Sequence, residues 1–134
     1  MNKTIFTTFL SFILLGNIFS HNLIENITLS YENGIPEEIR YFQDNGNSLE
    51  LVIIKSYYED GTLMSLKRYQ DSKKYGKWES FFSDGKISWK GVYHQGKRSG
   101  KWTEYYRNGE IKSVANYKNG KNDGSYIEYY ENGI

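Results

Sequence analysis

The chain has 134 residues, room for one small domain, and carries 13 Tyr, 7 Phe and 3 Trp but no cysteine. Seventeen basic residues against 16 acidic ones leave a net charge of +1, so no global field draws nucleic acid or an anionic membrane toward it. The absent thiol excludes disulfides, Cys-bearing zinc sites, thiol catalysis and a lipid-modified N-terminal Cys.

Residues 1–20, MNKTIFTTFLSFILLGNIFS, place Lys3 before an apolar run diluted by Thr and Ser. The run fits a secretory signal peptide better than a spanning helix, which needs about 20 apolar residues. An uncleaved N-terminal anchor is the competing reading. On either reading the expected location is outside the cytoplasm: periplasmic, outer-envelope or secreted. Residues 21–134 then form one repeat domain, and without the leader its charges balance at 16 against 16.

From Tyr31 a degenerate copy of a repeat spans about residues 29–56, where YENGI anticipates the later YYENGI. Pro36 cannot donate to a sheet ladder and belongs at a strand start or an edge. Gly34 and Gly61 are 27 residues apart, so this copy holds three extra residues, placed around Asp44–Ser48. Regular copies run from about residue 57 to 134. GKWESFFSDGKISWKGVYHQGKRS and GKWTEYYRNGEIKSVANYKNGKND align over 24 residues without a slip, and GSYIEYYENGI begins another copy. Such a fixed period marks a repeat architecture.

Within a copy, Trp102, Glu104 and Tyr106 alternate with Thr103 and Tyr105, the period of a strand. Asn108-Gly109 follows as a hairpin signal, repeated by Asp60-Gly61, Asp84-Gly85 and Asn132-Gly133. Ile111, Ser113, Ala115 and Tyr117 then form one face of a return strand, and Gly120–Gly124 reads as a loop to the next copy. One hairpin per period is marginal alone, so the copies must pair in series. The fold class expected is all-β: tandem antiparallel hairpins of about 24 residues in an elongated, single-layer twisted sheet.

The pattern G-K-W-x-x-Y-Y-x-N-G-x-I, then Y-x-x-G-K-x-x-G, resembles the bacterial variant of the MORN repeat, of the kind labelled YwqK-family antitoxins. The resemblance is good over residues 57–133 and loose over 29–56. It implies a non-catalytic sheet of hairpins that contacts other proteins or membrane lipid headgroups. The chain stops just past a turn, so the strand expected at Tyr126–Tyr130 is an open edge available for pairing.

The search for chemistry is brief. His21 and His94 stand in no metal-binding spacing, and no G-x-S-x-G elbow occurs. Gly91–Lys97 approximates a phosphate loop, but Arg98 replaces its Ser/Thr and no helix follows. Repeating carboxylates such as Glu79 and Glu104 offset rows of Lys. No catalytic residue, metal site or cofactor is therefore expected. Recurring aromatics, Trp78, Trp102 and Tyr126 among them, make a repeating core, with one member of each Phe81-Phe82, Tyr105-Tyr106 and Tyr129-Tyr130 pair facing outward. Trp89 is different, because its counterparts are Ser65 and Ser113. The binding candidates are thus Trp89, Tyr106 and Tyr129, with Lys97, Arg98 and Lys121 on the loops. The expected function is an exported interaction scaffold whose partner is another protein, in an antitoxin- or immunity-like role. The alternative is anchoring to lipid headgroups or cell-wall glycan; nucleic acid is not expected.

Overall fold

The computed structural model describes residues 23–132; the expected leader, His21 and Gly133 lie outside them. Among the described residues there are ten strands and no helix. They are β1 (Leu23–Ser30), β2 (Pro36–Asp44), β3 (Leu49–Tyr57), β4 (Leu63–Gln70), β5 (Lys73–Lys74), β6 (Gly76–Phe81), β7 (Ile87–His94), β8 (Lys97–Tyr105), β9 (Ile111–Lys118) and β10 (Lys121–Glu128). Each pairs antiparallel with its chain neighbour in one open twisted sheet, except that β6 follows β4 and the two-residue β5 rests on the end of β4. Pro36 opens β2.

Two kinds of turn alternate, and the hairpins expected at the Asx-Gly positions are the first kind. Asn108-Gly109 does not make a two-residue hairpin. The Tyr106 amide bonds the Glu110 carbonyl at 2.8 Å, and the Gly109 amide bonds the Tyr106 carbonyl at 3.0 Å. This closes a three-residue loop in which Gly109 alone takes positive φ (95°). That is a type I turn with a glycine bulge. The Asn108 side chain instead accepts the Glu110 amide at 2.8 Å. Asn33, Asp60 and Asp84 accept from the residue two ahead in the same way. Asn and Asp are selected here as side-chain acceptors, not for tolerance of positive φ.

The tight two-residue turns lie at the other end of the strands. Gln95-Gly96 and Asn119-Gly120 both have positive φ at each position, as does Asp71-Ser72, the pattern of type I′ turns. The expected Gly120–Gly124 loop is therefore a correction: Lys121 already pairs with Lys118, and β10 starts there. Gly124 sits in the register break between Asn122 and Tyr126, with φ of 112°; Gly76 and Gly100 also have positive φ, at 66°. The last strand accordingly runs Lys121–Glu128, leaving Tyr129 and Tyr130 beyond it.

Copies are tied together by side chains that reach the next copy's backbone. Tyr31, Tyr58 and Tyr106 donate their hydroxyls at 2.8 Å to the carbonyls of Tyr57, Phe81 and Tyr129. Asn33 and Asn108 do likewise to Glu59 and Glu131. Phe82 and Asp84 lack these donors, and Lys86 supplies one instead to the Arg107 carbonyl at 3.1 Å. Each such bond contributes roughly 1 kcal/mol, and each couples nearest neighbours only.

Candidate functional site

Register places Trp78, Trp89, Gly91, Tyr93, Trp102, Ala115 and Tyr126 on one face of the sheet. There Tyr69, Trp78, Tyr93, Trp102 and Tyr117 come one from each of β4, β6, β7, β8 and β9. Their successive ring centroids lie 5.5, 4.8, 5.1 and 6.1 Å apart. The ladder works because the chain is thin beneath the indoles. A Cβ at Gly91 would stand 2.2 Å from the Trp102 ring, so any side chain would evict it. Cations cap the rings: Lys74 lies 4.9 Å from Trp78 and 5.0 Å from Tyr93. Arg98, one period later, lies 4.4 Å from Trp102 and 5.1 Å from Tyr117. Both cations are exposed, and cation–π contacts at such sites stabilise by about 0.5–1 kcal/mol each.

Trp78 and Trp102 are buried as expected of a repeating core, but Tyr126, their counterpart, is 54% exposed. It lies on β10, where no further strand covers it among the described residues. A groove of about 260 Å³ results, running along β9 with Ser113 and Ala115 at its base. The stacked Trp89–Trp102 pair (5.4 Å, 19°) forms one wall, Tyr126 lines the groove from β10, and Arg98 and Tyr117 line it as well. Glu104 and Glu128 pair in register with Ser113 from either side. The Tyr126 hydroxyl donates to Glu128 at 2.7 Å, and this bond raises its pKa against an opposing hydrogen bond with Ser113.

The six candidate residues separate. Trp89 and Arg98 line the groove. The Tyr106 hydroxyl donates to the Tyr129 carbonyl at 2.8 Å, and the Tyr129 amide donates to the Lys112 carbonyl at 2.9 Å, so both tie adjacent copies together. Tyr105, the other member of that pair, lies under Lys90, whose Nζ is 5.3 Å from its ring. Lys97 and Lys121 are exposed at the tight-turn rim, with Lys73 at the equivalent position one copy earlier. Sequence reasoning named neither Ser113 as a groove floor nor Glu104 and Glu128 as its flanks, although it did note Ser113 as the repeat counterpart of Trp89.

Near-zero net charge conceals a separation. Between residues 23 and 66 there are eight carboxylate residues and two basic ones, Arg40 and Lys55; between 67 and 132 there are fourteen basic residues and eight acidic. Ten of those fourteen fall in the segments 67–77, 91–101 and 115–125 around the tight turns, where Asp71 and Asp123 are the sole acids. Gly91–Lys97, read against a phosphate loop, is the end of β7 and a tight turn into β8, with no helix N-terminus. No cluster of His, Asp and Glu among the described residues is arranged to hold a metal ion.

The family model for the MORN repeat variant matches residues 52–71 and 98–119. Each segment spans one hairpin around an Asx-Gly turn, β3–β4 and β8–β9, so the chain contains this repeat in two segments. The family is a non-catalytic repeat module, commonly used for protein or membrane interaction. No curated protein matches the chain, and neither does any solved structure.

Proposed function

We propose that the chain is a non-catalytic scaffold, exported to the cell envelope, that binds another protein through the aromatic face of its sheet in an antitoxin- or immunity-like role. The observation that carries this reading is the groove over β9: an aromatic rim of half-buried Trp89 and exposed Tyr126 around a partly polar trough. Aromatic residues supply contact area at low entropic cost, which suits a protein interface. The test is to recover the tagged full chain from its own envelope fraction. One protein in stoichiometric amount, lost on Tyr126→Ala, supports the reading. Recovery of lipid or wall fragments alone sinks it.

A second reading is favoured by the rim. Ten cations against two acids at the tight-turn end of the sheet suit an anionic surface such as lipid headgroups or wall polymer. Cosedimentation with phosphatidylglycerol vesicles, absent with phosphatidylcholine and lost at high salt, would support it. Salt-insensitive binding to both vesicle types would count against it.

A further inference from the structure

The groove is uneven along its length. At one end it holds the chain's own guanidinium: Arg98 lies over Trp102 and Tyr117 and donates to the Tyr117 hydroxyl at 3.0 Å. Toward the Asx-Gly turns it keeps aromatic lining, but among the described residues no cation lies over Trp89 or Tyr126. The repeat puts Ser113 there, where the preceding copy has Trp89 stacked on Trp102. A side chain of that bulk is therefore missing from the second copy.

What surrounds Ser113 is charged. Glu104 and Glu128 flank it on β8 and β10, strands about 10 Å apart. Among the described residues the cation paired with Glu104 is Lys112, at a loose 3.7 Å and half exposed. The equivalent place one period before Trp89 lacks this character, because Ser65 is flanked in register by Ser56 and Ser80. Aromatic lining beside Glu104, with Glu128 at the margin where it accepts the Tyr126 hydroxyl, is thus confined to the Ser113 end.

We infer that this end of the groove receives the guanidinium of an arginine side chain from a partner polypeptide, an inference that rests on the protein-binding reading above. A guanidinium is planar, stacks on aromatic rings and engages carboxylates through a fork of N–H donors. Arg98 shows the same wall already taking that group. A lysine ammonium is a compact point charge that uses the carboxylates but stacks less well. A hexose uses the rings but has no need of two carboxylates.

The experiment uses the full chain, labelled with ¹⁵N, and follows the indole N–H resonances of Trp78, Trp89 and Trp102. The probes are acetyl-Gly-Arg-Gly-amide, its lysine and citrulline analogues, and N-acetylglucosamine. The arginine peptide should shift Trp89 and Trp102 and bind about tenfold more tightly than the citrulline peptide, as expected for lost charge-assisted hydrogen bonds, with lysine between them. Glu104→Gln and Glu128→Gln should each weaken it by about tenfold. Ser113→Trp should abolish binding by restoring the bulk of the preceding copy. If that variant fails to fold, the two near-isosteric Gln variants still decide. Equal shifts with citrulline or sugar, or unchanged affinity in both Gln variants, would overturn the inference. A stoichiometric partner held equally well by Glu104→Gln would sink the arginine site alone; arginine-peptide binding with no partner recovered would sink the interaction reading alone.

Discussion

The two halves of the sheet use one backbone plan with opposite materials. Up to β3 the core is aliphatic, with Ile39 and Ile54 buried, and the charge is strongly negative. From β4 to β9 the core is a ladder of indoles and phenols capped by Lys74 and Arg98, and the charge is strongly positive. Both halves share the three-residue Asx-Gly turn, with its amide-to-side-chain bond and its tether to the next copy. The turns and tethers define the architecture, while core chemistry is interchangeable. A repeat can therefore change its exposed face without losing its fold.

Deleting a core residue from each half tests this most severely. Trp102→Ala should cost about 3–5 kcal/mol and Ile54→Ala about 2–4 kcal/mol, measured by urea unfolding. If the halves are one cooperative unit, both variants keep the wild-type m-value and a single transition. Biphasic unfolding of Trp102→Ala, with the aliphatic half persisting, would break the comparison into two separate stabilities.

Next in size is Gly91→Ala, which should destabilise by about 1–3 kcal/mol because its methyl displaces the Trp102 ring. Near-UV circular dichroism of the tryptophans should weaken with it; an unchanged spectrum would mean that the ladder has slack.

Alkaline pH acts on both halves, since burial also raises the Tyr69 phenol of the ladder, and most strongly at Tyr41. Burial first, then the charge of Glu25, pushes the Tyr41 phenol up to about 12, and Tyr57 is raised by the same two causes. The folded state thus holds protons that the unfolded chain releases near pH 10. Stability should be level below about pH 10 and fall between about 10 and 12. Glu25→Gln should bring the folded-state phenol titration to lower pH, read by absorbance at alkaline pH.

The smallest effects concern the tethers. Tyr106→Phe should lose about 1 kcal/mol with the bond to Tyr129. Phe82→Tyr should gain about 0.5–1 kcal/mol by supplying the hydroxyl that this copy lacks. Matched thermal melts would check both. No gain from Phe82→Tyr would show that Lys86 already satisfies that junction.

Much of this was legible in the sequence because period-two alternation and a fixed 24-residue register leave little choice of fold. Turn type was not. Asn108-Gly109 and Asn119-Gly120 are the same dipeptide, yet one lies in a three-residue loop and the other in a two-residue turn. The difference is set by which flanking residues pair, a cross-strand property that local composition does not encode. The groove was half visible. Ser113 in place of Trp89 could be read from the repeat, but bringing Glu104 and Glu128 beside it required the register of three strands. The tether of Tyr106 was hidden for a similar reason: periodicity marks it as recurrent but is silent about its hydroxyl's acceptor 23 residues ahead.

The separation of charge has one further consequence. A body with almost no net charge feels little pull from a uniform field, but one whose halves carry opposite excess experiences a torque. Beside a negatively charged surface this sheet has a preferred heading, with the basic half beyond β4 inward and the β1 side outward. The face bearing Trp89 and Tyr126 then stands upright against the surface rather than flat on it. Both flanks of the sheet stay open to molecules diffusing past.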